Sequence, residues 1–118
     1  MAAKGTTRAM SERHEAYLAE LFDGRTTRNS GAGVDKTDGR ERRIDLGDRA
    51  FAWDGKSTMA ASISITREMW DKTEEQAHPD LPLVPLRFYD NHRLEGSLDL
   101  VVIHAEDLAN LIRRARGD

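Results

Sequence analysis

Asp54 and Lys56 lie two positions apart in the run FAWDGKST, residues 51–58. Because strand side chains alternate between two faces, a strand here would direct both residues to the same side. A carboxylate oxygen is a ligand that suits Mg²⁺, and a neighbouring ammonium can orient water or offset negative charge in a transition state. The pair therefore predicts metal-assisted chemistry on a phosphate. The alternative is a solvated salt bridge of little energetic value.

A single carboxylate rarely holds Mg²⁺, so further acidic residues should converge on the same point. Asp38, at the end of a glycine-rich loop, is the second predicted ligand, and Asp45 is the alternative for that role. Glu15 is the third predicted ligand. At about 100° per residue it lies at the edge of the apolar stripe of the first helix. Glu12 and Glu20 should point away from that stripe.

The elements that position these residues follow from periodicity. Ser11 is the expected N-cap of a helix that runs to about Phe22, so residues 1–10 read as a flexible N-terminus and 11–118 as a single domain. The apolar stripe of this helix consists of Met10, His14, Tyr17, Leu18, Leu21 and Phe22.

Strands and helices alternate along the rest of the chain. After the loop at 23–40, two strands (ERRIDL and RAFAWDGK) should join at a turn at Gly47–Asp48, and 62–65 (SISI) reads as a short third strand. Thr66 should cap a helix to Ala77 with Gln76 at its margin. Two further strands follow, LPLVPLRFY and LDLVVI, the first irregular at its start or at an edge because of its prolines. A helix over 105–115, using Leu108, Leu111 and Ile112, ends the chain. The order α-β-β-(β)-α-β-β-α predicts an α/β fold with a mixed sheet covered by helices.

Composition restricts the classes of function. The 118 residues include no cysteine, and no apolar run approaches the ~20 residues that span a bilayer, so we expect a soluble protein of the cytoplasm. The net charge of −3 argues against broad attraction to nucleic acid. Residues 25–43 nevertheless carry six basic and three acidic side chains, which predicts either a phosphate-binding loop or a merely solvated one.

Four segments together resemble the PD-(D/E)XK nuclease superfamily, and within it the small Holliday-junction-resolvase-like endonucleases encoded by bacteriophages. ERHEAYLAELFDG is similar to the first helix of that family, with Glu15. RNSGAGVDKTDG resembles its metal-binding loop, ending at Asp38, and WDGKST resembles its (D/E)-x-K strand. SISITREMWDKTEEQA resembles the following serine-bearing segment and helix, with Ser62 and Gln76.

This resemblance implies a restriction-endonuclease-like fold and an Mg²⁺-dependent endonuclease, with Mn²⁺ as a possible substitute, acting on branched DNA as a homodimer. Asp38, Asp54, Glu15 and the Gly55 carbonyl would hold the metal, Lys56 would assist the attacking water, and Gln76 would orient the site. The expected DNA contacts are Arg25, Arg28, Ser30, Lys36, Arg40, Arg42 and Ser62. The alternatives are an inactive nuclease fold that binds DNA or protein, and an accessory protein that binds a host protein through its acidic C-terminal half.

Overall fold

A computed structural model describes residues 2–22, 25–26, 39–41 and 50–117 of the chain. Three helices and six strands occur in these ranges. In chain order they are α1 (Ala2–Leu21), β1 (Arg25–Thr26), β2 (Gly39–Glu41), β3 (Phe51–Trp53), β4 (Lys56–Thr58), α2 (Arg67–Ala77), β5 (Leu81–Tyr89), β6 (Ser97–Ile103) and α3 (Ala105–Arg116). The predicted α/β class is confirmed. The described helices include none long and apolar enough to cross a membrane.

Helix α1 begins at Ala2, so the prediction that Ser11 is its N-cap is wrong. No proline interrupts the preceding sequence, and an ion pair joins Arg8 to Glu12 one turn along, at 2.9 Å between Nε and Oε1. Residues 2–10, predicted to be a flexible N-terminus, therefore belong to the same helix. The local cap signal at Ser11 was outweighed by a sequence that can continue the helix in both directions.

The sheet contains both parallel and antiparallel pairs. Strand β1 pairs antiparallel with β2, β2 antiparallel with β3, and β6 antiparallel with β5. Both β3 and β4 pair parallel with β5. Trp53 is opposite Leu83, and Lys56 is opposite Leu86, so the two numbers differ by 30 in each pair. Strands β3 and β4 are therefore one strand in a single register, interrupted at Asp54 and Gly55.

Strand β5 lies in the interior of this sheet, between β3/β4 and β6, so of the two alternatives predicted from its prolines, an irregular start or an edge position, the edge position is wrong. Leu81 donates to the Ala50 carbonyl, and Asp54 donates to the Leu83 carbonyl, which shows that odd-numbered residues of β5 bond towards β3. The missing N–H of Pro82 would thus face the β6 side, where pairing begins only at Leu83. Pro82 therefore costs the sheet no hydrogen bond to β6.

The main hydrophobic cluster lies on the face that carries the odd-numbered residues of β3 and β5. It consists of Leu18, Phe51, Trp53, Leu81 and Leu83, with Tyr17, Phe22, Ile103 and Leu111 packed against it. The Phe22 and Trp53 rings are tilted at 57° with centroids 5.3 Å apart, a favourable aromatic arrangement. Helices α1 and α3 thus contact this face. Helix α2 connects β4 to β5 and packs against β5 and β3.

Several local predictions are confirmed and others are wrong. Thr66 caps α2 by accepting from the Met69 N–H at 3.0 Å, as predicted. The short strand predicted at residues 62–65 is absent, and the strand that precedes α2 ends at Thr58. Three residues assigned to inward-facing stripes are largely exposed: Leu21 (54%), Leu108 (45%) and Ile112 (43%). The turn at Gly47–Asp48 and most of the strand ERRIDL lie outside the described residues.

Candidate functional site

The interruption between β3 and β4 brings Asp54 and Lys56 together. Lys56 Nζ lies 3.3 Å from Asp54 Oδ2, and both side chains are partly exposed, at 36% and 25%. Residue alternation therefore predicted their common direction correctly. The two charged groups are thus partly desolvated and still accessible to solvent.

Glu15 of α1 approaches this pair. Burial raises the pKa of the Glu15 carboxyl, and the neighbouring carboxylates of Glu12 and Asp54 raise this pKa further. Glu12 and Glu20 are exposed, as predicted, so Glu15 is the acidic residue that α1 turns towards the strand.

Close packing of α1 against Gly55 fixes the position of Glu15. A Cβ atom at residue 55 would lie 3.1 Å from His14 Nδ1, 3.2 Å from His14 Cε1 and 3.3 Å from Leu18 Cδ1. His14 and Leu18 are buried, at 2% and 1% exposure. The helix therefore rests directly on the backbone between Asp54 and Lys56, and only glycine allows this approach without displacement.

His14 is a residue whose importance the sequence did not show. Burial and the nearby Arg87 lower its pKa to about 4, against a smaller opposing effect of Asp99. Its Nε2 has no hydrogen-bond partner among the described residues. The imidazole is thus neutral at physiological pH. The sequence placed His14 on an apolar stripe but gave no sign that it would lie against the D-G-K segment.

Arg87 and Asp99 form a partly buried ion pair on the face of the sheet that α1 covers. Arg87 Nε lies 2.6 Å from Asp99 Oδ1, and its second donor reaches Oδ2 at 3.2 Å, which makes the contact bidentate. The guanidinium also lies 4.1 Å from the centroid of the Tyr17 ring. Tyr89, beside it, donates to the Met10 carbonyl at 3.2 Å. This network joins β5, β6 and α1.

The other predicted site residues are not part of this cluster. Ser62 is exposed between β4 and α2, and Gln76 is half-buried on α2; neither takes part in the Asp54–Lys56 pair. Arg25 and Arg40 are opposite each other in the β1–β2 pair. The remaining predicted residues lie outside the described part of the chain: Arg28, Ser30, Lys36, Asp38, Arg42 and Asp45.

A cavity of about 600 Å³ lies away from the candidate site. Carboxylates and imidazoles from the end of α2 and the start of α3 line it, among them Glu74, Glu75, His78, His104, Glu106 and Asp107. Asp54, Lys56 and Glu15 do not line it, so this cavity and the Asp54–Lys56 pair do not coincide. An open, partly exposed site suits a polymer backbone better than an enclosed cavity does.

Metal-binding potential can be judged for the described ranges only. Within 2–22, 25–26, 39–41 and 50–117, no three acidic or histidine side chains come together as a metal-binding group. Comparison with protein-family models, curated proteins and solved structures gave no significant match. No family is assigned by similarity.

Proposed function

We propose that this protein is a metal-dependent endonuclease that hydrolyses phosphodiester bonds in branched DNA, built on a restriction-endonuclease-like version of the α/β fold. The observation that supports this best is the Asp54–Lys56 ion pair, with a strand interruption between its members and Glu15 beside it. Lys56 is ion-paired with Asp54, and a second carboxyl, that of Glu15, has a raised pKa. An ammonium and two carboxyl groups suit metal-assisted hydrolysis of a phosphodiester.

The donor set fits a hard divalent cation. Asp54 and Glu15 offer carboxylate oxygens, and their mutual repulsion leaves negative charge that a cation would neutralise. Asp38 or, alternatively, Asp45 would complete the set, together with the Gly55 carbonyl. Mg²⁺, or Mn²⁺ as a substitute, would offset charge on the phosphate and acidify a nearby water molecule.

The remaining roles belong to side chains of this chain. Lys56, tethered by Asp54, would orient the attacking water and offset charge that develops on the phosphate. Gln76 would hydrogen-bond the water or a neighbouring ligand. The basic residues around the glycine-rich loop, together with Ser30 and Ser62, would contact DNA phosphates. Two symmetric cuts in a branched substrate require two such sites, so we propose that the chain acts as a homodimer encoded by a bacteriophage.

A cleavage assay tests this function directly. End-labelled four-way-junction, flap and linear duplex DNA are incubated with Mg²⁺, Mn²⁺ or EDTA and the wild type, Asp54→Ala or Lys56→Ala. Lys72→Ala, which removes an exposed lysine of α2, is the matched control. We expect metal-dependent cutting that both site variants lose and the control keeps. Cleavage by Lys56→Ala at the wild-type rate would contradict the assigned mechanism.

A second function, a non-catalytic module of the same fold, is favoured by the acidic cavity between α2 and α3. Charge of this sign repels DNA and would suit a basic protein partner. The two functions differ in the cleavage assay, because the module would cut no substrate with any divalent ion. If the protein cuts no DNA but binds it in EDTA, its role is DNA binding. If it binds no DNA even at low salt, its partner is a protein.

A further inference from the structure

The exposed apolar side chains of the described ranges are concentrated in the last strand and the last helix. Six large apolar side chains are exposed there and elsewhere, by 43–55%, and only Leu21 lies outside these two elements. No residue of α3 is buried, although this helix has one apolar side. The other five exposed residues belong to β6 and α3: Leu98, Leu100, Val101, Leu108 and Ile112. Apolar side chains grouped in this way mark an interaction surface.

Strand β6 has a free edge in the described part of the sheet. Its seven residues pair with β5 in one unbroken antiparallel register, and no other described strand adjoins them. Odd-numbered residues of β5 bond towards β3, so its even-numbered residues bond to the even-numbered residues of β6. The N–H and C=O groups of the odd-numbered β6 residues therefore point away from β5: Ser97, Asp99, Val101 and Ile103.

This edge lacks the features that keep natural edge strands from associating. Prolines, lysines, bulges and inward-pointing charges are the usual protections. Strand β6 contains no proline, lysine or bulge. Its one charged residue is Asp99, whose carboxylate accepts from Arg87 and from the Ser97 hydroxyl. A long apolar edge without protection is suited to pair with another strand.

The sequence of β6 suits antiparallel pairing with a second copy of itself. A twofold axis through Leu100 would pair all seven residues, because this residue is the middle of the strand. Leu100 would be opposite Leu100 of the second copy, and Leu98 would be opposite its Val102, so apolar side chains would meet across the seam. Asp99 would be opposite Val101 and would not face another carboxylate.

Helix α3 is self-complementary about the same axis. A twofold axis perpendicular to the sheet places the helices that follow the two paired strands on one face and in antiparallel directions. Leu108 would then contact Ile112 of the second copy. At about 100° per residue, Glu106 in the first turn and Arg113 in the last turn lie on one flank of this apolar side. The carboxylate of each helix would therefore meet the guanidinium of the other.

We propose that β6 and α3 form the interface of a homodimer, in which β6 pairs antiparallel with β6 of a second copy and α3 packs on its α3. A second copy accounts for the free edge, the exposed apolar side chains and the charges of α3 together, which favours it over a different protein. The inference goes beyond the proposed nuclease function. It holds or fails on the oligomeric state alone, whether or not DNA is cut.

Sedimentation velocity over a range of concentrations tests this interface. Leu100→Lys places two like charges at the twofold axis, and Ile112→Lys places a charge in each helix contact. Leu21→Lys, the same kind of change at an exposed leucine of α1, is the matched control. If circular dichroism shows that Leu100→Lys does not fold, Val101→Pro replaces it, because this change removes a backbone N–H that points away from β5.

We expect the wild type to sediment with twice the mass of one chain, and Leu100→Lys to raise the Kd of the dimer at least about a hundredfold. Ile112→Lys should also weaken the dimer, and Leu21→Lys should leave it unchanged. A wild type that is monomeric at every concentration would overturn the proposal. So would a folded Leu100→Lys or Ile112→Lys protein that dimerises as the wild type does, or loss of the dimer in Leu21→Lys.

Charge reversal tests the antiparallel arrangement of α3. Glu106→Arg and Arg113→Glu each bring like charges together in a homodimer, so each variant alone should dimerise more weakly than the wild type. When the two variants are mixed, both contacts in the heterodimer are again between opposite charges. Native mass spectrometry of the mixture should therefore show mainly heterodimer. A statistical distribution of homodimers and heterodimers would overturn the antiparallel packing of α3.

Discussion

The His14 imidazole lies against Gly55 with no room for a β-carbon between them, since an added Cβ would be 3.1 Å from His14 Nδ1. This contact sets the distance between α1 and the strand that carries Asp54 and Lys56. Glu15 follows His14 in the chain. Burial raises the pKa of the Glu15 carboxyl, and the carboxylates of Glu12 and Asp54 raise it further. The distance between α1 and the Gly55 backbone therefore determines how near Glu15 lies to Asp54, the other predicted metal ligand.

We expect Gly55→Ala to destabilise the protein by about 1–3 kcal/mol, because the added methyl group must displace a buried imidazole or the helix that carries it. The measurement is urea unfolding followed by tryptophan fluorescence, on the single variants and on Gly55→Ala combined with His14→Ala. Removing the imidazole should relieve the clash, so the double variant should lose less than the sum of the single losses. Simple additivity would show that residues 14 and 55 are not in contact.

The neutral state of buried His14 predicts that stability depends on pH. The pKa of His14 is lowered from its ordinary 6.5 to about 4 by burial and by Arg87, so the unfolded chain binds a proton that the folded chain does not between these values. Stability should therefore be fully present above pH 6.5 and fall as pH drops towards 4, by about 3 kcal/mol at most. Glu15 acts in the opposite direction, since its pKa is raised.

Comparison of the wild type with His14→Gln isolates this effect, because Glu15 is present in both proteins. The free energy of unfolding is measured in EDTA at intervals between pH 4 and 7.5. The difference between wild type and variant should narrow steadily below pH 6.5. His92→Gln, which changes an exposed histidine, is the control and should leave the pH profile unchanged. A difference that stays constant over this range would mean that His14 is accessible to protons in the folded state.

Local patterns predicted what depends on neighbouring residues in the chain. The meeting of Asp54 with Lys56 and the half-buried position of Glu15 agree with periodicities of two and 3.6 residues, and the Thr66 cap follows from the acceptor oxygen of its side chain. Strand pairing does not, because it depends on which segments meet in three dimensions. The two prolines of LPLVPLRFY predicted an irregular start or an edge position. The strand lies in the sheet interior, and its pairing with β6 begins only at Leu83, after Pro82.

The sequence also did not show which side chains another element of the fold would bury. His14 was one member of an apolar stripe, and only the approach of α1 to Gly55 distinguishes it from Met10 one turn earlier. Leu108 and Ile112 have the spacing of a buried helix face, but both are largely exposed, and Leu111 beside them is only partly buried against the main cluster. Amphipathic spacing shows which face is apolar, and tertiary packing decides how much of it is covered.

The buried pair of Arg87 and Asp99 should be sensitive to the loss of one partner. The Arg87 side chain is 10% exposed, and Asp99→Ala removes the carboxylate that accepts both of its hydrogen bonds. We therefore expect destabilisation of about 3 kcal/mol. Arg67 and Asp71 form an exposed pair on α2, at 88% and 53% exposure, and Asp71→Ala should cost under about 0.5 kcal/mol. Thermal unfolding of both variants measures the contrast. Equal losses would mean that solvent reaches Arg87.

Glu15 should reduce stability when no metal is present and mediate stabilisation by a metal. Its raised pKa means that ionisation costs the folded state more than the unfolded chain, so Glu15→Gln should stabilise the protein slightly at pH 7 in EDTA. This gain should shrink as pH falls and vanish below the ordinary carboxyl range, where both states are protonated.

Divalent metal should reverse this order of stability, so that the wild type becomes more stable than Glu15→Gln. A ligand at ten times its Kd stabilises the folded state by about 1.4 kcal/mol, so Mg²⁺ or Mn²⁺ should raise the wild-type Tm but leave that of Glu15→Gln nearly unchanged. Glu20→Gln, an exposed substitution on the same helix, should respond to metal as the wild type does. Differential scanning fluorimetry in EDTA, Mg²⁺ and Mn²⁺ measures all three proteins. An equal rise in Tm for Glu15→Gln and the wild type would remove Glu15 from the ligand set, whether or not the protein cleaves DNA.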